Sequence, residues 1–357
     1  MRRDGNLGEL EDEPELSERD LELALEQVCA ETPKRLQTFL ETGELDSAYS
    51  PPGLPRFRVI PREVPNFEEL SLPAGVRRLA EEHRGLVLVT GATGSGKTTT
   101  LAAIIDHINR ARRQHIVTIE DPIEIVHGDH SCIVNQREVG LDTASFAQAL
   151  RRGLRQDPDV ILIGELRDAE TAETALAAAE SGHLVLSTMH TVDASETIGR
   201  MVEFFPAVKQ QLIRSIMAGV LRGVISQRLL PNVGGGRIPA VEVMIGNARI
   251  ADLIRDNKSD EITEAIAEGD FFQMQTFSKA LIQLVLDGKV DREIAANASS
   301  NRHDFLIALE RALKEQAVAV QLESMTDPDA ESEPEQVEEE VVDETTELPR
   351  LRVAGQQ

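Results

Sequence analysis

The chain contains few cysteines, few aromatic residues and no excess of basic charge, and these shortages exclude several classes of protein. Its 357 residues include two cysteines, Cys29 and Cys132, too few for a disulfide framework and typical of a reducing compartment. The sequence has no run of about 18 apolar residues, and no apolar segment typical of a secretory signal follows the first residues. We therefore expect a cytoplasmic protein with neither a transmembrane helix nor a secretory signal.

Acidic residues are concentrated at the two ends of the chain. The net charge is −25, of which residues 1–47 carry −9, residues 323–347 carry −12, residues 348–357 carry +2 and residues 48–322 carry −6. A nucleic-acid-binding surface needs a basic face, so we expect no nucleic-acid partner.

The acidic C-terminal stretch lacks aromatic residues and contains Pro328 and Pro334, a composition typical of disorder. This composition is compatible with two roles for the stretch, a solubilising appendage or an interaction segment.

The hydrophobic patterning divides the chain into four parts. Residues 1–62 read as a small N-terminal domain, residues 63–246 as the main domain, residues 247–318 as a helical region and residues 319–357 as a disordered acidic tail. Within the main domain, helical segments alternate with apolar runs at 86–90, 116–119, 160–163 and 184–187. Near-continuous apolar runs of this kind are typical of parallel strands covered on both faces. The sequence therefore predicts an α/β fold with a parallel sheet.

A glycine-rich loop follows the first of these strands. Residues 91–98 (GATGSGKT) fit the pattern G-x-x-x-x-G-K-[ST], and a helical pattern follows them. In such a loop, backbone N–H groups surround the phosphates of a nucleoside triphosphate, the lysine supplies a cation and the hydroxyl of the last residue binds Mg²⁺. We therefore predict that nucleotide is bound by Gly91, Ala92, Thr93, Gly94, Ser95, Gly96, Lys97, Thr98 and Thr99.

Ionisable residues follow the other three predicted strands. Glu120, Glu165 and His190 each come at or just after a strand end, and ligands of open α/β sheets bind at the carboxyl ends of the strands. Glu165 is the candidate general base or water-orienting residue and, with Thr98, the candidate Mg²⁺ ligand. Glu120 is a second catalytic candidate, and His190 is a candidate γ-phosphate sensor. An exposed loop carboxylate and a structural histidine are the simpler alternatives.

Three arginines are candidates for phosphate contacts. Arg151 and Arg155 are four residues apart on a helix predicted over 144–155, which places them on one face. Together with Arg167 they could reach phosphates across a subunit boundary, as arginine fingers do. A solvated helix face explains the first two equally well.

Four motifs resemble those of one ATPase family, and they occur along the chain in the same order as in that family. In addition to the glycine-rich loop, residues 154–168 (LRQDPDVILIGELRD) closely resemble the signature of secretion and pilus ATPases. Residues 118–124 (TIEDPIE) resemble the family's aspartate box, and residues 182–191 (GHLVLSTMHT) resemble its histidine box. Residues 273–277 (QMQTF) are similar to a GMQTF segment of the PilT-type retraction ATPases of type IV pili. The similarity extends from about residue 45 to residue 305 and is strongest to this PilT-type group.

The resemblance implies a RecA-like P-loop NTPase core and a ring-shaped homohexamer that hydrolyses ATP with Mg²⁺ to drive pilus retraction. It also implies an inner-membrane platform protein and other pilus ATPases as partners, at the inner face of the cytoplasmic membrane. Extension and type II secretion ATPases commonly carry a tetracysteine zinc insertion, which two cysteines cannot form, so retraction is favoured. Relative to the family, residues 1–62 resemble a truncated, PAS-like remnant of the N-terminal domain. A truncated paralogue that regulates or joins a pilus ATPase ring, and an assembly or secretion ATPase, remain alternatives.

Overall fold

The structure, a computed structural model, describes residues 64–326 and four two-residue strands nearer the N-terminus. These strands form two antiparallel pairs: β1 (Arg2–Arg3) with β2 (Asn6–Leu7), and β3 (Ala48–Tyr49) with β4 (Phe57–Arg58). The rest of the predicted domain over 1–62 and the acidic tail beyond residue 326 lie outside the described residues. The chain divides into two units, Met1–Leu309 and Glu310–Gln357.

A seven-stranded sheet forms the centre of the larger unit. Its strand order is β11-β10-β5-β9-β8-β6-β7, and every neighbouring pair is parallel except β10 with β11. An α/β fold with a mostly parallel sheet is therefore confirmed. The strands are β5 (Gly85–Thr90), β6 (His115–Glu120), β7 (Ile133–Glu138), β8 (Val160–Ile163), β9 (Leu184–Met189), β10 (Leu221–Pro231) and β11 (Arg237–Ile245).

Eleven helices are present among the described residues, and five of them begin at an Asp, Asn or Thr whose side chain accepts a backbone N–H of the first turn. The helices are α1 (Ala74–Ala80), α2 (Lys97–Ala111), α3 (Phe146–Gly153), α4 (Ala169–Glu180), α5 (Ala194–Glu203), α6 (Ala207–Val220), α7 (Ala248–Arg255), α8 (Ile262–Ala267), α9 (Phe277–Leu286), α10 (Arg292–Ala298) and α11 (Arg302–Thr326).

The four strands predicted from apolar runs are confirmed as β5, β6, β8 and β9. Every residue of β5, β8 and β9 is buried, because both faces of the sheet are covered. The remaining strands were not predicted: β7 lies at the edge and is half-exposed, and β10 and β11 form a long hairpin. These strands carry more polar residues, so their sequences lack the apolar signal of the inner strands.

Two predicted boundaries differ from the structure. The helix predicted over 144–155 begins at Phe146, because the Ser145 hydroxyl accepts the N–H of Gln148 as its N-cap, and it ends at Gly153. A turn of 3₁₀ helix over Leu154–Gln156 follows, so Arg155 is not on the same α-helix as Arg151. Helix α11 continues to Thr326, into the segment predicted as a disordered tail. Its sequence there still contains residues that favour helix, namely Ala319, Gln321, Leu322, Glu323 and Met325.

Close packing of β10 against α1 gives a test of this fold. A Cβ atom at Gly223 would lie 2.5 Å from Leu79 Cδ2 and 2.7 Å from the Met244 carbonyl oxygen. We predict that Gly223→Ala lowers the free energy of unfolding by about 1–3 kcal/mol, the usual cost of overpacking a core. Urea unfolding followed by circular dichroism measures this difference.

Gly219→Ala is the matched control. Gly219 lies on an exposed position of α6, and a Cβ atom there would meet nothing within 4 Å. Because alanine is a better helix former than glycine, this variant should be unchanged or more stable by up to about 1 kcal/mol. Equal destabilisation by both substitutions would contradict the packing of β10 on α1.

Candidate active site

The glycine-rich loop connects β5 to α2 at the carboxyl edge of the sheet. Two of its glycines are required by their surroundings as well as by their backbone. Gly91 has φ 142°, and a Cβ atom on it would lie 2.4 Å from the Gln227 carbonyl oxygen. Gly96, the N-cap of α2, has φ 88°. The loop therefore presents the unpaired backbone N–H groups at the start of a helix, which favour an anion.

Lys97 turns back onto its own loop. Its ammonium donates to the carbonyl oxygens of Gly91, at 2.8 Å, and Ala92, at 3.0 Å. Burial lowers the pKa of Lys97, and the nearby carboxylates of Glu165 and Glu124 act in the opposite direction. The lysine is thus a desolvated cation with carboxylates close by, at the position where the loop meets the helix.

The loop residues fit a bound phosphate chain. The Ser95 hydroxyl is buried and has no hydrogen-bond partner among the residues that the structure describes, whereas buried polar groups normally have one. Thr98, in the first turn of α2, is exposed at its surface. A phosphate group would give the Ser95 hydroxyl a partner that the protein does not supply.

Glu165 is held between two of the other predicted residues. Its Oε2 accepts a hydrogen bond from Arg167 Nε at 2.6 Å, and its Oε1 lies 3.1 Å from His190 Nε2. The Glu165 side chain is 15% exposed, whereas Arg167 and His190 are about half-exposed. The ends of β8 and β9 thus bring a carboxylate, a guanidinium and an imidazole into contact.

Glu120 lies at the end of β6 and is largely buried. Its Oε1 accepts hydrogen bonds from the Thr118 hydroxyl at 2.6 Å and from Gln136 Nε2 at 3.1 Å. Burial raises the pKa of Glu120, and these two hydrogen bonds oppose that change. Such a carboxyl accepts a proton more readily near neutral pH than an exposed one does.

The three arginines are in different surroundings. Arg167 contacts Glu165, as described above. Arg151 is exposed and forms an ion pair with Glu170 of α4, at 2.8 Å. Arg155 is exposed on the 3₁₀ turn after α3. Within one chain, only Arg167 of the three contacts another of the predicted catalytic residues, among the contacts that the structure describes.

One residue that was not predicted from the sequence supports the glycine-rich loop from below. Gln227 of β10 is buried, and its Oε1 accepts the hydroxyl hydrogen of Thr100 at 2.8 Å. Its backbone carbonyl adjoins Gly91, and its side-chain nitrogen lies 2.7 Å from where a Cβ of Gly96 would be. The available signal was a polar pair, Ser226 and Gln227, directly after the apolar residues Val224 and Ile225.

Residues 64–326 and the four short strands contain neither a membrane-spanning helix nor a cluster of metal ligands. No helix there is long and apolar enough to cross a membrane. That part of the chain also contains no group of three or more His, Cys, Asp or Glu side chains arranged to hold a metal ion.

Comparison with known proteins agrees with this geometry. A family model described as "Type II/IV secretion system protein" matches residues 67–269. The chain is 46% identical over 287 residues to the type IV pilus retraction ATPase PilT of Pseudomonas aeruginosa, covering 76% of this chain and 83% of the relative. It is 40% identical over 304 residues to the type IV pilus ATPase PilU of the same organism, covering 81% and 79%.

The solved structures include a close match as well. A crystal structure of the pilus retraction motor PilT with bound ADP aligns with a TM-score of 0.66 at 44% identity, covering 85% of this chain and 90% of that one. The family match spans more than half of the chain, and the alignment with PilT covers most of both proteins. The chain therefore belongs to the type II/IV secretion system protein family and, within it, to the PilT-type pilus retraction ATPases.

Proposed function

We propose that this chain is the ATP-hydrolysing subunit of a motor that retracts type IV pili and so drives twitching motility. The observation that supports this most directly is the placement of Glu165, in contact with Arg167 and His190 and close enough to influence Lys97. Together with the glycine-rich loop, these residues supply a phosphate cradle, a cation and a candidate base. ATP is the proposed substrate.

Residues 91–99 are the proposed nucleotide-binding residues. The loop N–H groups and the Lys97 ammonium bind the β- and γ-phosphates, and Lys97 exchanges its two carbonyl partners for phosphate oxygens. Thr98 and Glu165 are the proposed Mg²⁺ ligands, directly or through water. When bound, Mg²⁺ neutralises charge that develops on the phosphate oxygens.

Hydrolysis requires a water molecule in line with the γ-phosphate. Glu165 orients this water and accepts its proton as the oxygen bonds to the γ-phosphorus and the bond to the bridging β–γ oxygen breaks. His190 and Arg167 contact the two carboxylate oxygens of Glu165, and His190 is the proposed γ-phosphate sensor. Glu120, with its raised pKa, is the second candidate for proton transfer.

Ring assembly is the proposed context of catalysis. We propose a homohexamer in which the exposed Arg151 and Arg155 face the nucleotide of a neighbouring subunit. The proposed partners are a pilus platform protein of the inner membrane and other pilus ATPases, with the ring peripheral to the cytoplasmic membrane. The PilT and PilU relatives, both named as type IV pilus ATPases, support this assignment.

The first prediction concerns phosphate binding. Lys97→Ala should weaken ATP binding by about 10- to 100-fold, the effect of losing one charge-assisted hydrogen bond to a phosphate, and abolish measurable hydrolysis. Fluorescent-nucleotide titration and phosphate release measure the two effects. Lys209→Ala, which removes an exposed ion pair with Glu173 on the surface, is the matched control. Normal turnover by Lys97→Ala would refute the assignment of the loop.

The second prediction separates binding from chemistry. Glu165→Gln should bind ATP normally and lower kcat by about 10²- to 10⁴-fold, because the amide is nearly the same size but cannot accept a proton. Nucleotide affinity and single-turnover rate are measured together. Glu173→Gln, an exposed substitution of the same type, should match the wild type. Loss of nucleotide binding by Glu165→Gln would show that the residue acts chiefly through structure or metal binding and would contradict its role as the base.

A further inference from the structure

Glu242 is a buried carboxyl group that the proposed mechanism does not use. It lies on β11 and is 4% exposed. Its Oε1 accepts the backbone N–H of Ala194 at 3.0 Å, and the backbone N–H of Phe277 is close enough to favour its charged form. Ala194 is the first residue of α5 and Phe277 the first residue of α9, so one side chain lies at the N-termini of two helices.

The surroundings of Glu242 disfavour the ionised form of its side chain. Burial, with a smaller contribution from Asp193, raises the pKa of Glu242 to about 7, whereas the two N–H groups and the Arg228 guanidinium act in the opposite direction. Apolar residues can fill such a place at no loss of stability. A costly buried carboxyl at the junction of two helices therefore points to a role beyond packing.

On one side, Glu242 fixes the turn that carries His190. This turn runs from the end of β9 into α5 and is tightly hydrogen-bonded: the Thr191 and Thr197 hydroxyl groups are 2.6 Å apart, and Glu196 Oε2 accepts the N–H of Val192. The bond from Ala194 to Glu242 ties the start of α5 to β11, and the Ser195 hydroxyl, which donates to the Ser259 carbonyl oxygen at 2.6 Å, also holds this start in place. A shift of α5 would therefore displace His190 relative to Glu165.

On the other side, Glu242 binds the 273–277 segment that resembles the family motif. Gln275 pairs with Val243 through two backbone hydrogen bonds of 2.9 and 3.1 Å, and its side-chain nitrogen donates to the Val241 carbonyl oxygen at 2.7 Å. The Arg228 guanidinium lies 4.2 Å from the centre of the Phe277 ring. The segment is thus anchored to β11 on both sides of Glu242, and α9 begins at the carboxylate.

We propose that Glu242 is a positioning residue for ATP hydrolysis: it ties α5, and through α5 the His190 turn, to the first residues of α9. This inference rests on the proposed role of His190. The contacts of Glu242 do not include the glycine-rich loop, so its contribution should appear in the rate of hydrolysis and not in nucleotide affinity.

The test is a double-mutant cycle between Glu242→Gln and His190→Ala. Glutamine has nearly the same shape but offers one oxygen to the two N–H groups, so we expect kcat to fall by about 10- to 100-fold, as for other displaced catalytic groups. ADP affinity should stay within about twofold of wild type. In the His190→Ala background the same substitution should change kcat by less than about threefold, because coupled residues are not additive.

Two further variants make the test specific. Glu203→Gln alters an exposed carboxylate at the other end of α5, paired with Arg200, and should keep the wild-type kcat. Glu242→Asp keeps the charge on a shorter side chain and should recover part of the kcat lost in Glu242→Gln. It also provides a second measurement in the same cycle if the glutamine variant does not fold.

Three results would overturn the proposal. Equal losses of kcat from Glu242→Gln in both backgrounds would show that it acts independently of His190, and a parallel loss of ADP affinity would indicate a general structural defect. Wild-type kcat in His190→Ala alone would remove the group through which Glu242 is proposed to act. Failure of the proposed function itself is distinguishable, because the unmodified chain would then release no phosphate from ATP.

Discussion

Parallel pairing of the inner strands is the constraint on which the rest of this structure depends. Strand β5 is hydrogen-bonded in register to β9, β9 to β8 and β8 to β6, so all four run in one direction. Their carboxyl ends must therefore emerge at one edge of the sheet. This edge brings together four groups that are far apart in sequence: the glycine-rich loop, Glu120, Glu165 and His190. They meet there because each one lies at or just after the carboxyl end of a strand, and these strands run in the same direction.

The charges gathered at this edge compensate one another. Lys97 is buried against the carbonyl oxygens of its own loop, close to the carboxylates of Glu165 and Glu124. Glu165 in turn has a guanidinium and an imidazole on its two oxygens. The ammonium, the guanidinium and the imidazole are donors that also suit a phosphate oxygen. In the proposed mode of binding, a triphosphate would replace the carbonyl and carboxylate partners of these donors.

The β10–β11 hairpin supports the site from the opposite side. Gln227 of β10 lies under the glycine-rich loop and binds the first turn of α2 through Thr100. Glu242 of β11 lies under the start of α5 and also binds the start of α9. Both residues are buried and polar, and they lie on neighbouring strands, where Gln227 is opposite Val241 and Glu242 is opposite Ser226. The hairpin thus provides separate supports for the nucleotide-binding loop and for the His190 turn.

The sequence by itself determined the elements whose signal is local. Apolar runs identified β5, β6, β8 and β9, and the pattern of residues 91–98 located the glycine-rich loop, because short-range sterics and burial on both faces dictate these residue types. The order of strands along the sheet depended on tertiary structure, as did the hairpin, the contact of Glu165 with Arg167 and His190, and the ion pair of Arg151 with Glu170. Gln227 and Glu242 belong to this second group. Their hydrogen-bond partners Thr100 and Ala194 lie 127 and 48 residues away, and no local pattern in a sequence encodes a contact over such a separation.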